Sequence, residues 1–174
     1  MAKNGLRIPQ ISPGASVFQL RVGRSRIQGF GVFAEETIPA GRKVIEYTGR
    51  RISMIALRRM RAGKRPKKEK RICMFICDRY WAVDGSDGGN GAELINHGCD
   101  PNLRTRKLRG HVLYYSHKKI RVGEELTVDY RLSPLAFRYP CQCGSPKCRG
   151  TMNLPASPEK NSARVENRVK RRAR

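Results

Sequence analysis

Three cysteines near the end of the sequence, Cys141, Cys143 and Cys148, follow a CxCxxxxC spacing. Thiolates so close in the chain suit zinc, and three of them stand one short of a closed tetrahedral structural site. The plainer reading is of ordinary buried or redox-active thiols. Cys73 and Cys77 lie at even spacing on an expected strand and read as packing residues. Gly29 and Gly31 flank Phe30, and backbone without a Cβ can approach a ligand closely, although a plain turn would use the same residues. Asn96 and His97 sit in the polar, turn-rich run from 94 to 102, where such side chains either satisfy a tight turn or face a ligand. Tyr130 ends an expected strand, a place where a tyrosine ring ordinarily covers the core.

These residues need a scaffold of short strands. The pattern predicts strands over 18–22, 31–34 and 43–47, the last after a Pro39-Ala40-Gly41 turn. Ser53 is placed to cap a short helix running to residue 60. A basic stretch from Arg58 to Arg71 follows, with Glu69 as its one acid, and reads as surface. Strands over 72–77 and 80–84 form a hairpin around Asp78-Arg79, whose turn chemistry is weak. Glycines and acids over 85–91 lead into the Asn96 segment, and strands over 111–115 and 126–130 complete a predominantly β domain. Residues 1–16 read as a loose leader, and the Pro-, Ser- and Lys/Arg-rich composition after Met152 reads as a mobile cationic tail.

The chain has 174 residues, enough for one domain around one core. Lys and Arg number 37 against 14 Asp and Glu, a formal net charge of +23. Charge of this size belongs on tails, loops or a partner-facing surface, and points to acidic proteins or polyanions as partners. No apolar stretch approaches the ~20 residues of a membrane span, and the start lacks the apolar core of a secretion signal. A soluble, cytoplasmic protein without a membrane partner is expected, with a nuclear or exported role left open. Six cysteines clustered toward one end look like metal ligation rather than a disulfide scaffold, so a reducing compartment follows.

Three separated segments resemble the signature of the SET family: Gly29-Phe30-Gly31-Val32-Phe33-Ala34, then Asn96-His97-Gly98-Cys99-Asp100-Pro101-Asn102, then Glu124-Glu125-Leu126-Thr127-Val128-Asp129-Tyr130. The end from Cys141 to Met152 resembles the cysteine-rich post-SET segment of that family. The likeness covers about residues 17 to 153. It implies a mainly β SET-domain fold over 17–135, small sheets and few short helices with the last strand threaded beneath the chain after Cys99 as a pseudoknot, then a zinc segment over 136–153 and a basic tail over 154–174. It also implies S-adenosylmethionine-dependent methyl transfer to a lysine amine of a protein substrate. The alternatives are an inactive SET-fold binding module and a basic nucleic-acid- or ribosome-associated protein.

Residue by residue, the resemblance implies that Gln28, Gly29, Phe30 and Gly31 lie against the methionine part of the cofactor. His97 would face the adenine through its backbone groups, Asn96 would fix the amino acid end or the knot, and Gln142 and Met152 would close over the cofactor. Tyr130 takes the position of the catalytic tyrosine and Tyr47 a second tyrosine of the lysine channel, with Phe75 and Val128 as further walls. Cys99 becomes the fourth ligand of one structural zinc with Cys141, Cys143 and Cys148. Glu93 stands where relatives often have arginine, Gly98 where they have serine, Cys73 where they have tyrosine, and Val128 where an aromatic is common; the smaller walls permit more than one methyl. The lack of an upstream reader or cysteine-rich region resembles stand-alone bacterial members, and the Arg58 to Arg71 stretch would draw an acidic or nucleic-acid-bound target to the groove.

Overall fold

The computed structural model describes residues 9–62, 72–134 and 136–156. Residues 1–8, the 63–71 part of the basic stretch and the tail beyond 156 lie outside the described residues.

Strand β1 (Leu20–Arg24) pairs antiparallel with β2 (Phe30–Ala34), with Val22 opposite Val32. The turn between them is closed by Ser25, whose N–H donates to the Gly29 carbonyl and whose hydroxyl accepts from the Ile27 N–H. Strand β3 (Lys43–Tyr47) falls on the predicted residues; its apolar positions Val44 and Ile45 are fully buried. Strand β4 (Arg50–Ser53) was not expected, because Arg-Arg-Ile-Ser carries one apolar residue. The ladder supplies what the pattern lacks, since β4 and β5 (Met74–Ile76) both pair antiparallel with β6 (Trp81–Asp84). Helix α1 (Met54–Arg61) starts where predicted, its Ser53 hydroxyl accepting from the Ala56 N–H. The β5–β6 turn that looked weak is closed by Asp78, whose Oδ1 accepts from the Tyr80 and Trp81 N–H groups.

A 3-10 turn over Ala92–Leu94 leads into β7 (Asn96–His97). Strand β8 (Leu103–Leu108) was also missed: among its residues only Leu103 is buried, and Arg104, Arg106 and Lys107 leave no apolar alternation to read. It is held by a six-pair ladder to β9 (His111–Ser116), whose Val112, Leu113 and Tyr114 are all buried. The last strand, β10, is only Thr127–Val128 rather than 126–130. Tyr130 leaves the sheet because its N–H donates to the His97 Nδ1 instead of to a neighbouring strand.

The large sheet runs β3-β9-β8-β10-β7. Strand β10 lies parallel between β7 and β8, so the last part of the chain enters beneath the loop that joins them. Asn102 in that loop holds the threaded strand: its Nδ2 donates to Glu124 Oε1 and the Glu125 carbonyl, and its Oδ1 accepts from the Thr127 N–H. Asn102 is 3% exposed. Truncation to Ala strands the Thr127 N–H and the Glu125 carbonyl, so Asn102→Ala is expected to lose roughly 2–4 kcal/mol. Urea denaturation measures this; unchanged stability would mean the loop does not lock the threading.

The leader expectation needs correction from residue 9 onward. The Ser12 N–H donates to the Asn90 carbonyl, Ser16 bridges to Ile45, and Ile11 packs against the core. Gly91, at φ +100°, has the side chain of Ile11 where a Cβ would stand. One well-placed apolar residue anchors a segment whose Pro and Gly content hid it. Among the described residues no helix is long and apolar enough to cross a membrane.

Candidate functional site

A cleft of about 640 Å³ opens between the β1–β2 turn, the 3-10 turn and the C-terminal segment. One wall is Ile27, Gln28, Gly29 and Phe30; Glu93, Leu94 and Asn96 form the floor; Tyr139, Pro140, Gln142 and Met152 form the far wall. Gly29 adopts φ +51° with open space where a Cβ would point, so the backbone there is bare toward the cleft. Asn96 ties wall to floor: its Nδ2 donates to the Phe30 carbonyl at 3.0 Å and to Glu125 Oε1 at 2.8 Å. The far wall is fastened by the Leu132–Asn153 and Pro140–Thr151 bridges. Of the cofactor residues expected from sequence, Gln28, Gly29, Phe30, Asn96, Tyr130, Gln142 and Met152 all line this cleft.

Gly31 and His97 do not. The space a Gly31 Cβ would need is filled by the Glu125 carboxylate, which also accepts from the Ser25 hydroxyl at 2.8 Å. Gly31 thus makes room for the group that clamps the β1–β2 turn to the threaded strand, not for a ligand. The His97 side chain is fully buried one layer behind the floor. Burial holds its imidazole down to about 4, against the pull of Asp129 and with the repulsion of Arg149. It is therefore neutral near pH 7, its Nδ1 accepting from the Tyr130 N–H at 3.1 Å. The proton must then sit on Nε2, which faces Cys99 Sγ at 3.3 Å. Asp129, 3.6 Å from Nδ1, gives its carboxylate to Arg149 in a two-pronged pair at 2.9 and 3.1 Å.

Behind the cleft lies a tyrosine cluster. Tyr47 is buried, with ring centroids 5.6 Å from Phe75 and 6.1 Å from Tyr114, and its hydroxyl donates to the Cys73 carbonyl. Burial pushes its phenol above the ordinary range, with Cys73 and Tyr130 adding to the shift. Val128 belongs to the same buried cluster, and Tyr130 packs against it. The Tyr130 hydroxyl donates to the Ile95 carbonyl at 2.9 Å, and its ring meets His97 edge-on at 5.4 Å. Tyr130 is thus on the cleft and against the cluster at once. Tyr114, buried and in electrostatic reach of both Tyr47 and Tyr130, went unassigned because a strand running Val112-Leu113-Tyr114 reads only as core. Glu125 and the Asp129–Arg149 pair were likewise missed as fastenings, since their partners lie far away in sequence. Cys73 and Cys77 are buried packing residues, as expected.

The four expected ligands meet. The sulfurs of Cys99, Cys141, Cys143 and Cys148 all lie within 4.8 Å of one another, and Cys99 and Cys141 are 3.7 Å apart. Four sulfurs about 2.3 Å from one zinc ion would stand about 3.8 Å apart. Backbone N–H groups of Arg149 and Gly150 point at Cys99 and Cys148 at 3.4 Å, as suits thiolates. Burial works against Cys143, but N–H groups near Cys99 and Ser145 and the neighbouring thiols bring it down to about 7. Burial pushes the Cys99 and Cys141 thiols upward. Crowded sulfurs that resist joint ionisation are the setting in which a divalent cation is bound, so the set fits a closed structural zinc site.

The SET domain family model matches residues 29–131, and the chain belongs to that family. Among its relatives, the histone-lysine N-methyltransferase TRX1 of Oryza sativa subsp. japonica is 37% identical over 148 residues, covering 78% of this chain and 14% of that protein. The H3 lysine-4 specific histone-lysine N-methyltransferase of Schizosaccharomyces pombe is 39% identical over 144 residues, covering 78% of this chain and 15% of its own length. Human histone-lysine N-methyltransferase 2B is 37% identical over 142 residues, which are 76% of this chain and 5% of that protein. A crystal structure of KRYPTONITE in complex with mCHH DNA, an H3(1-15) peptide and SAH superposes with a TM-score of 0.62 at 28% identity, covering 78% of this chain and 29% of that one. The chain therefore spans a small part of the length of these relatives.

Proposed function

We propose that this protein transfers a methyl group from S-adenosylmethionine to the side-chain amine of a lysine in a protein substrate. One observation carries the reading: Tyr130 stands on the wall of the cleft, packs against the core that contains Tyr47 and Tyr114, and lies within electrostatic reach of both their phenols. The histone-lysine methyltransferase names of the relatives and the SAH in the KRYPTONITE complex support it. When bound, the cofactor supplies a methyl group on a positively charged sulfur, open to attack by a neutral amine.

The chain's own residues do the rest. Gln28, Gly29, Phe30 and Asn96 on one side of the cleft, and Gln142 and Met152 on the other, would hold the cofactor. The hydroxyls of Tyr47 and Tyr130 donate to the Cys73 and Ile95 carbonyls, which leaves the phenol oxygens able to accept from an incoming amine. With cofactor and lysine bound, those dipoles would orient the amine and steady the positive charge of the methyl. Burial holds the Tyr47 phenol protonated, so that group is not set up as a base; the lysine must arrive as the neutral amine, its proton already lost to solvent. Four cysteines on one zinc ion would fix the far wall. An acidic or nucleic-acid-bound substrate suits the net charge of +23.

The test is incubation of purified protein with methyl-labelled S-adenosylmethionine, a histone H3 N-terminal peptide and a whole-cell protein extract. Label is expected on lysine. Cofactor binding without label on any lysine would favour a binding module in its place.

A further inference from the structure

Glu93 lines the cleft from the 3-10 turn and is half-buried. Among the described residues, every other one lining that cleft is uncharged, in a chain of net charge +23. Its Oε2 accepts from the Gly91 N–H at 2.9 Å, and the same oxygen lies 2.6 Å from where a Gly89 Cβ would stand. Among the described residues no Lys, Arg or His pairs with it. On its other side Gly85 has only hydrogens where a Cβ would run into both the Tyr47 hydroxyl and Glu93 Cβ. Glu93 is thereby fixed at the seam between the cleft and the tyrosine cluster.

A half-buried carboxylate has lost part of its hydration, and no cation among the described residues offsets the loss. A ligand that carries positive charge to the seam does so. We propose that Glu93 is a specificity-determining residue that makes the cleft discriminate by charge, holding the sulfonium form of the cofactor more tightly than its thioether product. The inference rests on the cleft being the S-adenosylmethionine site. In transfer the carbon–sulfur bond breaks with its electron pair left on sulfur, and the amine lone pair forms the nitrogen–carbon bond. Positive charge thus passes from cofactor to amine, and the attraction between Glu93 and the cofactor lapses with turnover. Spent cofactor leaves and fresh cofactor is favoured. Across several ångströms in a partly wet site, one unit charge changes affinity by roughly tenfold.

Calorimetric titration of the intact chain with S-adenosylmethionine and separately with S-adenosylhomocysteine tests this. The wild-type protein is expected to prefer the sulfonium, and Glu93→Gln, which keeps the shape and an acceptor for Gly91, is expected to weaken sulfonium binding about tenfold while leaving thioether binding nearly unchanged. Equal affinity of the wild type for both ligands overturns the proposal without recourse to the variant. So does a Glu93→Gln protein that loses affinity for both ligands in step. Failure of the wild type to bind either ligand overturns the function assigned to the cleft instead.

Discussion

Tyr130→Phe is expected to slow methyl transfer by roughly 10²- to 10⁴-fold, the range typical of a positioned group lost from the reacting centre. The fold should hold. The ring keeps its edge contact with His97 and the backbone N–H keeps its bond to Nδ1, while the hydroxyl bond to the Ile95 carbonyl is lost. Thermal melting of the variant near the wild-type temperature, together with cofactor binding of wild-type strength, would assign the loss to the chemical step. A variant that turns over at the wild-type rate would remove the phenol from the reaction and leave the tyrosine as a lid on the core.

Removal of zinc is expected to be the second large effect. The far wall of the cleft, with Tyr139, Pro140, Gln142 and Met152, is carried by the segment that contains Cys141, Cys143 and Cys148, and Cys99 ties it to the loop over the threaded strand. A strong chelator, or Cys99→Ser, should release one zinc ion per chain and weaken cofactor binding by about 10- to 100-fold. The sheet core lies elsewhere, around Ile38, Ile45, Ile120 and Leu126, so β structure by circular dichroism should persist. Acid should mimic the chelator: Cys99 and Cys141 are pushed upward without metal, so protons compete more strongly for the sulfurs as pH falls. Metal analysis during an acid titration follows this directly. Metal-free protein that binds cofactor as tightly as before would show that the cysteines do not support the cleft.

The two effects meet at His97. The resemblance places His97 at the cofactor through its backbone groups, which leaves the role of its ring open. In the fold its ring is the link between the sulfur of Cys99 and the backbone of Tyr130, so metal loss should be felt at the tyrosine as well as at the wall. Gly31 teaches the same point: the glycine was legible, but what fills its missing side chain is Glu125, ninety-four positions away in the chain. Local patterns announced β3, the capped helix and the C-terminal cysteine trio because each follows from neighbouring residues or from a ligand type, whereas Cys99, 42 positions before Cys141, came from the family resemblance. Strands β4 and β8 stayed hidden because cationic residues fill their exposed positions and partner strands supply the stability. The anchoring of Ile11 and the packing of Tyr114 depend on tertiary contacts that no window of sequence displays.

The most direct measurement is a crystal structure of the protein with S-adenosylhomocysteine and a lysine peptide bound together. The cofactor should lie between Gln28 and Met152 with its sulfur facing the Tyr130 hydroxyl, and the lysine should arrive from the Tyr47 side, amine and sulfur meeting across that phenol. A cofactor seated outside the cleft, or a lysine entering from the same side as the cofactor, would contradict the account.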